Sequence, residues 1–139
     1  MTSVRILVVD DESSFVEILR RGLRKMGYDV VGATDSEGAL AHLRDGNERI
    51  DLVVTDYRMP GMSGIELLKA LRKQKVFVPV ILMTAYGNKR LLKDFFNCGG
   101  NGYIEKPFLM DDLAKTISLE LQKGITTRKN ESMNVKQRI

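Results

Sequence analysis

Tryptophan is absent from the 139 residues, cysteine and histidine occur once each, and there are only three prolines. A lone Cys98 cannot close an intramolecular disulfide, which argues against a stapled secreted domain and for a reducing, cytosolic setting. No run approaches the ~18 consecutive apolar residues that a membrane span needs. The N-terminal Met1-Thr2-Ser3-Val4-Arg5 lacks the apolar stretch of a signal peptide. What is present is ordinary for a soluble globular chain: 43% hydrophobic and 29% charged residues. The length suits one domain, and a chain of about 150 residues buries roughly 68–70% of its unfolded surface without help from disulfide or metal.

Acidic residues are also in slight deficit, 18 against 22 basic, for a net charge of +4. The imbalance is local. Residues 1–122 hold 17 basic and 17 acidic side chains, whereas residues 123–139 hold five basic ones and Glu131 alone. A short basic end reads as a solvated tail or the start of a linker, not as a nucleic-acid site.

Five apolar runs alternate with five amphipathic stretches. Ile6-Leu7-Val8-Val9 reads as a first strand ending at Asp10-Asp11. Phe15, Ile18, Leu19, Leu23 and Met26 recur at helical steps over Ser13–Met26, and Gly27 suits the left-handed position after a helix. Strand two spans Tyr28–Ala33, helix two Ser36–Arg44 with an end near Gly46, and strand three Ile50–Thr55, delivering Asp56. A helix over Ser63–Lys73 opens with the capping-box pair Ser63 and Glu66. Val78–Met83 reads as strand four with Pro79 near its start, Asn88–Asn97 as helix four, Gly102–Ile104 as strand five and Asp111–Gln122 as helix five. From Lys123 the chain is polar and unpatterned, which predicts fraying or disorder. Apolar strands separated by helices imply a doubly wound α/β fold with a parallel sheet covered on both faces.

In such sheets ligands sit beyond the carboxyl ends of the strands. Asp10, Asp11, Asp56, Thr84 and Lys106 all fall there. Three carboxylates in one crevice repel unless a cation intervenes, and Mg²⁺ accepts carboxylates while keeping sites for water or phosphate. Carboxylate, metal, hydroxyl and ammonium together are what phosphoryl transfer to an aspartate requires. Asp and Thr also serve at strand ends as turn and cap residues. Five such groups at four strand ends outweigh that reading.

These residues sit in runs that resemble the receiver domain of two-component response regulators: Ile6–Glu12, Asp56–Gly64, Met83-Thr84-Ala85 and Gly102–Phe108, in the family's order, with the match covering about residues 4–122. The resemblance implies a five-stranded sheet of order 2-1-3-4-5, a flavodoxin-like topology. It implies that Asp56 takes a phosphoryl group from a sensor histidine kinase or histidine phosphotransfer protein. Asp11, Asp56 and the Arg58 carbonyl would bind Mg²⁺ directly, and Asp10 through water. Thr84 and the Ala85 amide would hold phosphoryl oxygens, and Lys106 would pair first with Asp56 and then with the phosphoryl group. Lys106-Pro107 would be a cis peptide. Tyr103 would be the switch aromatic, turning inward as Thr84 moves and so remodelling the face of helix four, strand five and helix five for a downstream protein or a second copy. Arg58 and Tyr86 flank the site where the family tunes phosphoryl lifetime; their bulk implies slow hydrolysis. Asn97-Cys98-Gly99-Gly100-Asn101 is richer in glycine than the family's usual Gly-Ala pair.

Other features are quieter. His42 lies far from the strand ends and reads as a surface residue, Cys98 as a structural thiol. No P-loop or dinucleotide glycine motif occurs. Two readings of the whole remain: a stand-alone receiver, or the receiver of a larger regulator such as an enhancer-binding transcription factor. Residues 123–139 are too few for a helix-turn-helix unit. An aspartyl phosphohydrolase ranks below both, because Asp10-Asp11-Glu12 is not the D-x-D nucleophile motif.

Overall fold

The computed structural model describes residues 3–44, 48–85 and 88–137. Gly46 and Tyr86 lie outside them. Ten elements alternate along the chain: β1 (Arg5–Val9), α1 (Ser13–Lys25), β2 (Asp29–Ala33), α2 (Ser36–Arg44), β3 (Leu52–Asp56), α3 (Gly64–Lys73), β4 (Val80–Thr84), α4 (Lys89–Asn97), β5 (Gly102–Glu105) and α5 (Met110–Gln137). The strands form one parallel sheet in the order β2-β1-β3-β4-β5. That is the expected doubly wound architecture.

Successive strand side chains point to opposite faces. Leu7, Val9, Val53, Val80 and Leu82 enter a core with Leu40 of α2, Leu67, Leu68 and Leu71 of α3 and Phe95 of α4. Ile6, Val8, Leu52, Val54, Ile81 and Met83 enter the other, with Leu19 and Leu23 of α1 and Leu113 and Ile117 of α5. Burial on both faces is why the inner strands read as unbroken apolar runs. β5, at the edge, alternates buried Gly102 and Ile104 with exposed Tyr103 and Glu105.

Several boundaries move from their sequence-based positions. β3 begins at Leu52 and includes Asp56, which pairs in register with Met83. β4 begins at Val80, because Pro79 has no N–H to give a ladder; its carbonyl accepts from the Val53 amide at 2.9 Å. Gly27, at φ +97°, does end α1 in the left-handed region. The largest correction is at the C-terminus. Instead of fraying after Gln122, α5 continues to Gln137. Residues 123–137 contain no proline and only one glycine to interrupt the backbone ladder. His42 sits at the surface, its side chain 32% exposed, and pairs through Nδ1 with Glu48 at 2.6 Å. Among the described residues no helix is long and apolar enough to cross a membrane.

Candidate functional site

β1, β3 and β4 stop side by side, so their terminal side chains meet at one edge of the sheet. Asp10 is 1% exposed, and both its oxygens are engaged: Oδ1 accepts from the Glu12 amide at 2.9 Å and Oδ2 from Lys106 Nζ at 2.9 Å. Asp11 beside it is exposed. Asp56 closes β3, with Oδ1 accepting from the Tyr57 amide at 3.0 Å and lying 3.3 Å from Lys106 Nζ. Glycine is required at 64, where a Cβ would strike the Asp56 carbonyl oxygen, so α3 can start directly behind the carboxylate. Ser63 caps that helix as its spacing with Glu66 predicts, accepting the Glu66 amide at 3.2 Å.

Thr84 ends β4 at 1% exposure, and its Oγ1 is buried without a hydrogen-bond partner. Burying a hydroxyl unpaired costs about 1–3 kcal/mol, so this atom awaits an acceptor or donor. The Lys106 amide donates to the Thr84 carbonyl at 2.7 Å, which ties the strand end to the loop carrying the cis Lys106-Pro107 bond.

The charges perturb one another. Burial, followed by the nearby Asp10 charge, raises the Asp56 carboxyl above its ordinary value of 3.8 against the opposing pull of Lys106. Burial alone would lower Lys106, but the Asp10 hydrogen bond and the charges of Asp56 and Asp10 prevail and raise it. The site therefore favours an extra positive charge near Asp56.

Asp10, Asp11 and Asp56 each offer an oxygen within 4.8 Å of the others. An all-oxygen donor set beside an unpaired buried hydroxyl fits a hard divalent cation together with an oxyanion. The open cleft over Asp11, Asp56, Thr84 and Lys106 measures about 490 Å³; its walls include Arg58, Ala85, Asn88 and Leu91.

Among the described residues the expected groups thus converge, except one. Tyr103 points away from the cleft, 42% exposed, and meets Phe96 edge to face at 6.3 Å. Tyr86 lies outside the described residues. Three neighbours of these groups escape sequence reading. Phe15 reads as one more apolar helix position, yet its ring lies 4.5 Å from Lys106 Nζ. Asn88 and Leu91 reach the cleft because α4 begins at its rim, which periodicity alone does not reveal.

The family model for the response regulator receiver domain matches residues 6–118. The chain belongs to that family. Similar proteins include the chemotaxis protein CheY of Pseudomonas aeruginosa, 38% identical over 82% of this chain and 93% of CheY. The alkaline phosphatase synthesis transcriptional regulatory protein PhoP of Bacillus subtilis is 40% identical over 75% of this chain and 42% of PhoP. The regulatory protein AtoC of Escherichia coli is 37% identical over 88% and 26%. This receiver domain therefore spans less than half the length of PhoP and AtoC. Its fold matches the CheY-like receiver domain of Methanospirillum hungatei JF-1 with a TM-score of 0.83 at 28% identity, covering 91% of this chain and 99% of that one. Receiver domains are signalling modules that take phosphoryl groups from kinases and regulate outputs.

Proposed function

We propose that Asp56 is the phosphoacceptor, that Mg²⁺ is the cation its cluster takes, and that a sensor histidine kinase or histidine phosphotransfer protein is the donor. The observation that carries this is Thr84 Oγ1, buried and unpaired at the same cleft as a carboxylate already aligned by Lys106. An Asp56 oxygen attacks phosphorus, the bond from phosphorus to the donor imidazole nitrogen breaks, and its electron pair stays on that nitrogen. Asp11, Asp56 and the Arg58 carbonyl would hold the ion; Asp10, with both oxygens engaged, would reach it through water. Bound there, Mg²⁺ would neutralise charge shared by acceptor and phosphoryl group.

The side chains do the rest. Lys106 follows the negative charge from Asp56 to a phosphoryl oxygen, Thr84 donates its hydroxyl to another, and the Ala85 amide assists. Arg58, exposed at the rim, obstructs water and slows hydrolysis; Tyr86 is assigned the same role. Self-phosphorylation from small donors and slow self-dephosphorylation use this one set of groups. As Thr84 moves, Tyr103 turns inward and changes the α4-β5-α5 face, where a downstream protein, an output domain or a second copy docks. We assign the phosphoacceptor unit to residues 1–122 and residues 123–139 to the segment leading away from it, and we place the protein in the cytoplasm.

Acetyl phosphate with Mg²⁺ should add one phosphoryl group, seen by intact mass, and Asp56→Asn should accept none. The same variant gives a second readout. A carboxyl whose folded pKa is raised favours the fold below its ordinary value of 3.8 and loses that contribution as pH rises through the raised value. At pH 7 without metal Asp56 is therefore a net cost, so Asp56→Asn should melt higher than wild type, by about 2–5 °C per kcal/mol relieved. Undiminished labelling of Asp56→Asn would move the acceptor elsewhere.

A further inference from the structure

Among the described residues the Lys106 ammonium meets two carboxylates and one aromatic ring. Its Nζ lies 2.9 Å from Asp10 Oδ2, 3.3 Å from Asp56 Oδ1 and 4.5 Å from the centroid of the Phe15 ring. Phe15 stands in the first turn of α1 and is itself braced edge to face by Phe108, centroids 6.1 Å apart, on the far side of the cis Lys106-Pro107 bond. The ring is thus fixed from both sides.

We propose that Phe15 is a positioning residue for phosphoryl acceptance, its π face holding the Lys106 ammonium over Asp56 throughout transfer. The inference rests on the reading of Asp56 and Lys106 given above. Both carboxylate partners of Lys106 belong to the cluster that a cation would engage, so metal binding and phosphorylation weaken their hold on the ammonium. The ring is the partner that neither event removes. It attracts a cation through its quadrupole, yet offers no lone pair to compete with an incoming phosphoryl oxygen. A lysine stem is flexible and costly to order, and the ring confines it to the arc between Asp10 and the cleft. Ile18, also on α1, is 59% exposed and could not serve this way. Phe15 alone on that helix combines partial burial with contact to the ammonium.

The alternative is that Phe15 only fills space against Phe108, and Phe15→Leu and Phe15→Tyr separate the two. Leucine keeps apolar bulk and loses the π face; tyrosine keeps both. With acetyl phosphate and saturating Mg²⁺, Phe15→Leu should label about three- to thirtyfold more slowly, the range expected for a lost cation–π contact, and Phe15→Tyr should recover most of that rate. In unphosphorylated wild type the Lys106 ε-protons should show an upfield ring-current shift by NMR, which requires no variant to fold. Normal labelling by Phe15→Leu, equal losses in both variants, or no ring-current shift would each overturn the proposal while leaving Asp56 as acceptor. Wild type that takes no label would overturn the Asp56 reading and this one with it.

Discussion

α3 and α4 differ by one residue in length, start near the same cleft and are both capped by a polar side chain, yet they are attached to the domain in different ways. α3 buries Gly64, Ile65, Leu67, Leu68 and Leu71; α4 buries Phe95 alone. The second helix is held at its far end. There the Phe95 ring occupies the space where Gly100 lacks a Cβ, and Gly99 turns the chain at φ +96°. Arg72 of α3 donates to the Gly99 carbonyl at 2.9 Å, to Val76 at 2.8 Å and to Asn101 Oδ1 at 3.1 Å. The near end of α4 brings Asn88 and Leu91 to the cleft with little burial beneath them. One helix is scaffold. The other is anchored at its far end by the scaffold helix, and under the proposed switch a change at Thr84 would move its cleft end without dismantling a core.

The comparison breaks most directly in the core. Leu68 is fully buried, so Leu68→Ala should cost about 2–5 kcal/mol in urea unfolding. Leu91→Ala, at a half-buried site, should cost about 1 kcal/mol or less. Equal losses would mean that α4 is as much scaffold as α3.

The anchor at the far end can be tested next. Arg72 is half-buried, its guanidinium lowered by that burial, and its bonds described above go to neutral oxygens. Hydrogen bonds from a charged group contribute about 1.5–3 kcal/mol. Arg72→Met keeps the packing of the stem and removes the donors, so a loss of about 2 kcal/mol is expected. Amide exchange should quicken along α4 and at Gly99-Gly100 while α3 stays protected. Uniform acceleration in both helices would show that Arg72 supports the whole core and not the exit of α4.

How much of this difference was legible beforehand is instructive. Strand runs, the convergence of Asp10, Asp11, Asp56, Thr84 and Lys106, and the Ser63 cap all follow from local patterns, because each depends on residues within a few positions or on the strand-end rule. The glycine-rich exit of α4 was visible in Asn97–Asn101, but not its meaning. Rigidity there comes from the Phe95 ring against Gly100 and from Arg72, 27 positions before the Gly99 carbonyl it bonds, and side-chain packing across elements leaves no periodic trace. Phe15 reads only as one apolar helical step for the same reason: an apolar residue in a helix looks alike whether it meets a leucine or an ammonium. The α5 extension to Gln137 carries no apolar spacing to announce it, because a helix needs only an uninterrupted backbone ladder.

The smallest expected effect is also the most discriminating, because the two caps are chemically matched. Ser63 Oγ accepts from Glu66 N at 3.2 Å, and Asn88 Oδ1 accepts from Arg90 N at 2.9 Å. Each satisfies one of the amides that a helix start leaves unpaired, and replacing such a cap by alanine typically costs about 1 kcal/mol. The loss registers in global unfolding only if the helix start is docked in the folded core. α3 meets that condition through Gly64 and Ile65, both buried at its first turn, so Ser63→Ala should lower global stability by about 1 kcal/mol. α4 has no buried residue before Phe95, so Asn88→Ala should lower global stability by only a few tenths. Its cost should surface as faster exchange of the first-turn amides of α4 and as altered response of that turn to beryllofluoride at Asp56. A full 1 kcal/mol loss for Asn88→Ala would show that the cleft end of α4 is docked as firmly as the start of α3, and the proposed switch would have no free end to move.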